Sequence, residues 1–216
     1  MRTATILAAF ASLAACASGP QVAADSWEAT SQVDPVTGVE RCVVTAPDRV
    51  FGNSLTRSGR LYPFVEKNSE VGLLVGASSG GAYRVPPGNI VWRVDQNEPH
   101  RIQMADTPVI GEPVNYAATA AMTEEQRAVF DNAMKMSAGM TSAIQNGITA
   151  AGGEKAEELL AEMKAGQTLL FRAEAAAPNA GIPSARAYDV GQMRDGTSAP
   201  IMLDGSFHSA LAECDL

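Results

Sequence analysis

Histidine, cysteine and contiguous basic charge are all scarce in this 216-residue chain, and each scarcity closes off a class of function. There are two histidines, His100 and His208, so a His-rich metal centre is excluded. The three cysteines, Cys16, Cys42 and Cys214, form no C-x-x-C pair. Neither Cys42 nor Cys214 has a histidine in metal-ligand spacing, except His208 six residues before Cys214. No run of four basic residues occurs, and 16 basic against 24 acidic residues give a net charge of −8. A nucleic-acid partner is therefore not expected. The glycine-rich stretch near Gly76 lacks the G-K-[ST] that would complete a phosphate loop. No repeat period is visible, and strands do not alternate with helices in the manner of a parallel sheet. Hydrophobic residues reach 46%, but 37 of the residues are alanine, so the larger apolar side chains form a real but not generous core.

The first fifteen residues read as an address. One arginine, Arg2, precedes the uncharged run Ala4 to Ala15 (ATILAAFASLAA), the layout of a secretory signal. The run is short of the roughly 20 residues that span a bilayer. It ends Leu13-Ala14-Ala15-Cys16, which resembles the bacterial lipobox: an apolar residue, two small residues and a cysteine whose thiol accepts acyl chains. The alternative is an ordinary signal cut after an A-x-A-like site, either Ala15-Cys16-Ala17 or Val22-Ala23-Ala24. With Cys16 as the mature N-terminus, Ala17 to Ser26 suit a flexible tether. Ala17-Ser18 in place of an aspartate resembles lipoproteins sent to an outer membrane. Lipidation of Cys16 leaves Cys42 and Cys214, an even number in an oxidising compartment, which predicts a Cys42–Cys214 disulfide; two separately buried thiols are the alternative.

The mature chain reads as mainly β. Trp27–Val33 and Val39–Thr45 flank a Pro/Gly turn and predict a hairpin. Arg49–Tyr62 reads as a loop with at most one strand, and Val71–Gly76 as a short strand. Ala82–Val85 and Ile90–Val94 flank Pro86-Pro87-Gly88-Asn89, with Ile90, Trp92 and Val94 on one face. His100–Met104 adds a possible strand. Thr123-Glu124-Glu125-Gln126 is a capping box. The stripe Val129, Phe130, Ala133, Met134, Ser137, Met140, Ile144 and Ile148 then predicts one helix of about six turns, halted at Gly152-Gly153. Glu154–Lys164 predicts a second amphipathic helix ended by Gly166. Gln167–Ala173, Ala185–Val190 and Pro200–Leu203 read as strands, and Phe207–Cys214 as a terminal helix.

These pieces resemble the invasion-associated locus B family of secreted bacterial proteins. Trp27 and Cys42 in the opening hairpin, Val75-Gly76, Tyr83–Asp95, Met163–Leu169, Leu203–Phe207 and Ala210-Leu211 carry the resemblance. It implies a compact β-sandwich-like exported domain with a role in envelope function or host interaction. Two features depart from the family: Ser31 stands where a first hairpin cysteine is looked for, which redirects the bridge toward Cys214, and the stretch 118–153 looks like an insertion.

Gly76-Ala77-Ser78-Ser79-Gly80 matches the G-x-S-x-G nucleophile elbow, and His208 follows in hydrolase order. Pro86-Pro87 forbids the helix that an elbow needs, so the segment reads as a turn between strands. His100, after Pro99 and near Asp95 and Glu98, reads as a surface histidine on a hairpin. Met122, Met134, Met136 and Met140 cluster on or near the long helix and suit an adaptable partner surface; packing of Met134 and Met140 on the sheet is the favoured alternative.

The expectation is thus a signal peptide at 1–15, a tether at 16–26 and one domain at 27–216, with a helical insertion at about 118–166. The fold class is mainly β (α+β): an antiparallel β-sandwich-like domain with that insertion and a short C-terminal helix. The expected function is a membrane-anchored envelope lipoprotein acting as a binding or interaction module. It would face the periplasm from the outer membrane, with a lipid anchor at Cys16, an unidentified protein partner, no nucleic acid, no metal and no cofactor. A periplasmic or secreted protein is the alternative location. A small serine hydrolase using Ser78 and His208, and a purely structural envelope component, are the alternative functions.

Overall fold

The computed structural model describes residues 27–46, 61–79, 87–110, 122–174, 193–194, 197–198 and 200–216. The signal segment, the tether, Cys16 and the strands expected at 82–85 and 185–190 lie outside the described residues.

Two antiparallel sheets make the body. The first contains β1 (Glu28–Val33), β2 (Glu40–Thr45), β3 (Leu61–Asn68), β4 (Gly72–Ser79) and β7 (Ile148–Gly152), in that order across the sheet. The second runs β11 (Ile201–Met202), β8 (Thr168–Ala173), β5 (Ile90–Val94) and β6 (His100–Ile102). A two-residue ladder joins β9 (Met193–Arg194) to β10 (Thr197–Ser198). The helices are α1 (Glu124–Asn146), α2 (Gly153–Ala165) and α3 (Gly205–Glu213), with a 3-10 turn at Met104–Asp106.

Alternation decides which face is buried. Val44, Val65, Val75, Ala77 and Ala151 of the first sheet meet Ile90, Trp92, Val94, Leu169 and Phe171 of the second in one core. Helix α2 closes that core with Ala156, Leu159, Leu160 and Met163, and α3 with Phe207, Ala210 and Leu211. Trp27 locks the ends of the chain together: its indole Nε1–H donates to the Met202 carbonyl at 2.8 Å, and its ring lies 4.8 Å from Phe207. The opposite face of the first sheet carries a smaller cluster of Phe64, Leu74, Ile148 and Ala150, with Ile110 and Val43 against it. On that same face the Glu66 carboxylate, 2% exposed, is held bidentately by Arg41 and by the Asn68 amide.

Three expectations need correction. Strand β3 runs on through Pro63, Glu66 and Lys67, past the loop expected at Arg49–Tyr62, where the sequence suggests no element. Pro63 is tolerated because the pairing runs on around it, and its carbonyl accepts from the Thr45 hydroxyl. Second, the long helix does not reach Ile148. Gly147 takes the left-handed conformation (φ 63°) that ends α1, and Ile148–Gly152 enters the sheet beside β4. The 118–166 stretch is therefore no purely helical insertion, since it contributes an edge strand. Third, Gly76–Ser79 is strand, not turn, with Ser78 paired to Tyr62 on one side and Ile148 on the other.

Candidate functional site

The predicted disulfide is present. Cys42 on β2 and Cys214 after α3 are joined across 172 residues with their Cα atoms 5.5 Å apart. Ser31 stands directly opposite Cys42 in the β1–β2 register, its hydroxyl 3.1 Å from the Cys42 sulfur. The bridge ties the C-terminal helix over the first two strands.

Helix α1 forms as the capping box predicts. The Thr123 hydroxyl accepts from the Gln126 amide, and the Gln126 side chain accepts from the Thr123 amide. Its orientation is unexpected. The buried residues of α1 are small: Gly139, Ser142 and Ala143. A Cβ at Gly139 would stand 2.2 Å from the Ala105 carbonyl oxygen, so only glycine allows this approach. The Ser142 hydroxyl donates to the Pro108 carbonyl at 2.8 Å, and the Ile110 amide reaches the same hydroxyl. Small residues thus seat the helix on the 105–110 segment. The large apolar side chains point away: Val129 is 69% exposed, Met136 47%, Met140 46% and Ile144 55%. With exposed Ala133 they follow one another at spacings of four, three, four and four residues, which places all five along one narrow ribbon of the helix. The packing of Met140 on the sheet, favoured from sequence, is therefore corrected: Met140 and Met136 face solvent, while Met122 and Met134 are half-buried.

His100 is not a free surface side chain. It opens β6 opposite Trp92, and its Nε2 lies 2.9 Å from Glu162 Oε1 on α2. Glu158, one helical turn earlier, brings a third potential ligand. Among the described residues this is the one group of three or more His, Cys, Asp or Glu side chains close enough to share a cation, with ligand atoms all within 4.8 Å of one another. No spacing in the sequence pointed to it, because 62 residues separate His100 from Glu162.

Ser78 and His208 are not brought together. Ala77 faces the core that α3 helps to close, so Ser78 faces the other side of the sheet, away from the helix that carries His208. Among the described residues no helix is long and apolar enough to cross a membrane. Asp95, at φ 48°, closes the turn between β5 and β6 and ties it to β8. Its carboxylate accepts from the Gln167 amide and from both the amide and hydroxyl of Thr168. The Thr168 hydroxyl first, then the Gln167 amide, hold the Asp95 carboxyl below its ordinary range.

No family model, no curated protein and no solved structure matches the chain significantly.

Proposed function

We propose that this chain is an exported envelope lipoprotein, anchored through Cys16 to the outer membrane and facing the periplasm. In this reading its β-rich body is an interaction module whose partner surface is the outward ribbon of α1. The single observation that carries the binding role is the exposure of Val129, Met136, Met140 and Ile144 on a helix that docks through small residues instead. Large flexible apolar side chains in helical spacing are what a partner helix or groove accepts, and methionine adapts to irregular partners. The disulfide supports export, because cystines persist in oxidising compartments. The lipobox-like Leu13–Cys16 supports the anchor, since multiple acyl chains hold a protein to a membrane where one chain is marginal. The resemblance to the invasion-associated locus B family belongs to the same proposal and rests on the segments quoted above.

A photo-crosslinker introduced in the full-length, exported chain tests the reading. Placed at Met140, it should capture one discrete partner, and Ile144→Glu should abolish the capture. Placed at Lys135, on another side of the helix, it should capture none. Equal capture from both positions, or none from Met140, would remove α1 as the partner surface. Palmitate labelling that survives Cys16→Ser would remove the anchor.

A further inference from the structure

The geometry points to a divalent-cation site formed by His100, Glu158 and Glu162, of the borderline class that zinc represents.

Glu158 and Glu162 are four residues apart on α2 and so lie one above the other on a single face. That face runs beside the buried stripe of Leu159 and Met163, which leaves Glu162 half-buried and Glu158 exposed. His100 approaches from β6 and already lies 2.9 Å from one Glu162 oxygen. The other oxygen, Oε2, is sealed from solvent and has no hydrogen-bond partner among the described residues. A carboxylate oxygen left so is costly unless something positive meets it. The nearby basic side chains are engaged elsewhere: Lys155 pairs with Asp106 and with the Arg101 carbonyl, and Arg101 pairs with Glu174.

The donor set decides the class of ion. One imidazole nitrogen and two carboxylates carry two negative charges, which suits a divalent cation. The imidazole favours zinc or a neighbouring first-row metal over magnesium or calcium, which take oxygen ligands. Among the described residues no free thiolate competes, because Cys42 and Cys214 are joined. Donors sharing a zinc ion at bonds of about 2 Å stand roughly 3 to 3.5 Å apart. The ligand atoms now lie within 4.8 Å of one another, and Glu158 is the exposed member of the three, the one with room to swing toward the others. Three protein ligands leave a further coordination position for water or for a donor from a bound molecule.

The competing explanation is a simple hydrogen bond that pins β6 to α2. The full-length protein, stripped with chelator and titrated with zinc chloride against a chromogenic zinc indicator, separates the two. A metal site predicts one equivalent bound, with affinity falling at least about tenfold in Glu158→Gln and in His100→Ala, whereas His208→Ala changes it less than about twofold. Zinc should also raise the melting temperature of the wild type and not that of Glu158→Gln. Because Glu158 is exposed, that variant should melt like the wild type without zinc, so a lost zinc response is not a folding defect. Absence of stoichiometric binding, or equal affinity in wild type, Glu158→Gln and His100→Ala, would overturn the site. Destabilisation by His100→Ala with zinc affinity unchanged would establish the pin in its place.

Discussion

Replacing Cys214 by alanine should cost this domain about 5 kcal/mol. The bridge closes a loop of 172 residues, and the loop-closure estimate for that length is about 5 kcal/mol at 25 °C. Domains of this kind are stable by about 5–15 kcal/mol, so the loss is from a third to all of the total. In urea, with a slope of about 2 kcal/mol/M, the midpoint should fall by about 2.5 M. Ser31 supplies an internal control. It lies opposite Cys42 in the hairpin, 11 residues away in sequence, and directly opposed strand residues have Cα separations that a disulfide tolerates. Adding Ser31→Cys to Cys214→Ala should therefore form a short bridge, verified by the loss of titratable thiol. That loop is worth about 3 kcal/mol, so the rewired chain should remain about 2 kcal/mol below the wild type. Two results would refute the reasoning: a Cys214→Ala chain within about 1 kcal/mol of wild type, or a rewired chain as stable as the native one.

Four further outcomes are expected. Gly139→Ala should destabilise by about 1–3 kcal/mol, although alanine is the better helix former by about 1 kcal/mol, because its Cβ would strike the Ala105 carbonyl; Ile144→Glu should shift stability by no more than about 0.5 kcal/mol, and a urea titration showing Gly139→Ala stabilised would disprove the docking. Glu66→Ala should cost about 2–3 kcal/mol by leaving Arg41 and Asn68 without their shared acceptor, read in the same titration, with a neutral result counting against the buried pair. Asp95 has a depressed carboxyl pKa, so its stabilising contribution is complete above the ordinary value near 4 and is lost as pH falls through the folded value; the acid slope of the urea midpoint should flatten in Asp95→Asn, and identical slopes would contradict the assignment.

What the sequence made legible is what local chemistry dictates. The alternation of Ile90, Trp92 and Val94, the Thr123–Gln126 capping box and the amphipathic run of α2 each appear where periodicity and capping place them. Strand β3 stayed hidden because Pro63, Glu66 and Lys67 spoil a strand's composition. Glu66 is buried only through Arg41 and Asn68, partners that exist once the sheet has formed. Strand β7 stayed hidden because Ile148 continues the spacing of Ile144, and only the backbone of Gly147 breaks the helix between them. The α1 ribbon has a different lesson. Periodicity reveals an apolar face but not what covers it, and here glycine, serine and alanine take the buried side. The His100 cluster was illegible because its members meet only when β6 packs beside α2.

Strand β7 also constrains how a partner role for α1 can be probed. Deleting residues 118–153 would remove the binding ribbon together with Ile148–Gly152, the strand that pairs with β4 and supplies Ile148 and Ala150 to the outer cluster and Ala151 to the main core. It would also take Ser142 from the Pro108 carbonyl and Thr149 from the Gly88 carbonyl, two bonds that fasten this stretch to the loops around the second sheet. A deleted chain that failed to bind would therefore report a damaged sheet as readily as a lost contact. The first four turns of α1 contribute no buried residue, whereas its last two dock through Gly139, Ser142 and Ala143. Substitutions at Val129 and Met136 consequently separate recognition from folding: they alter the ribbon where nothing beneath it depends on the side chain, and a binding defect there would belong to the surface itself.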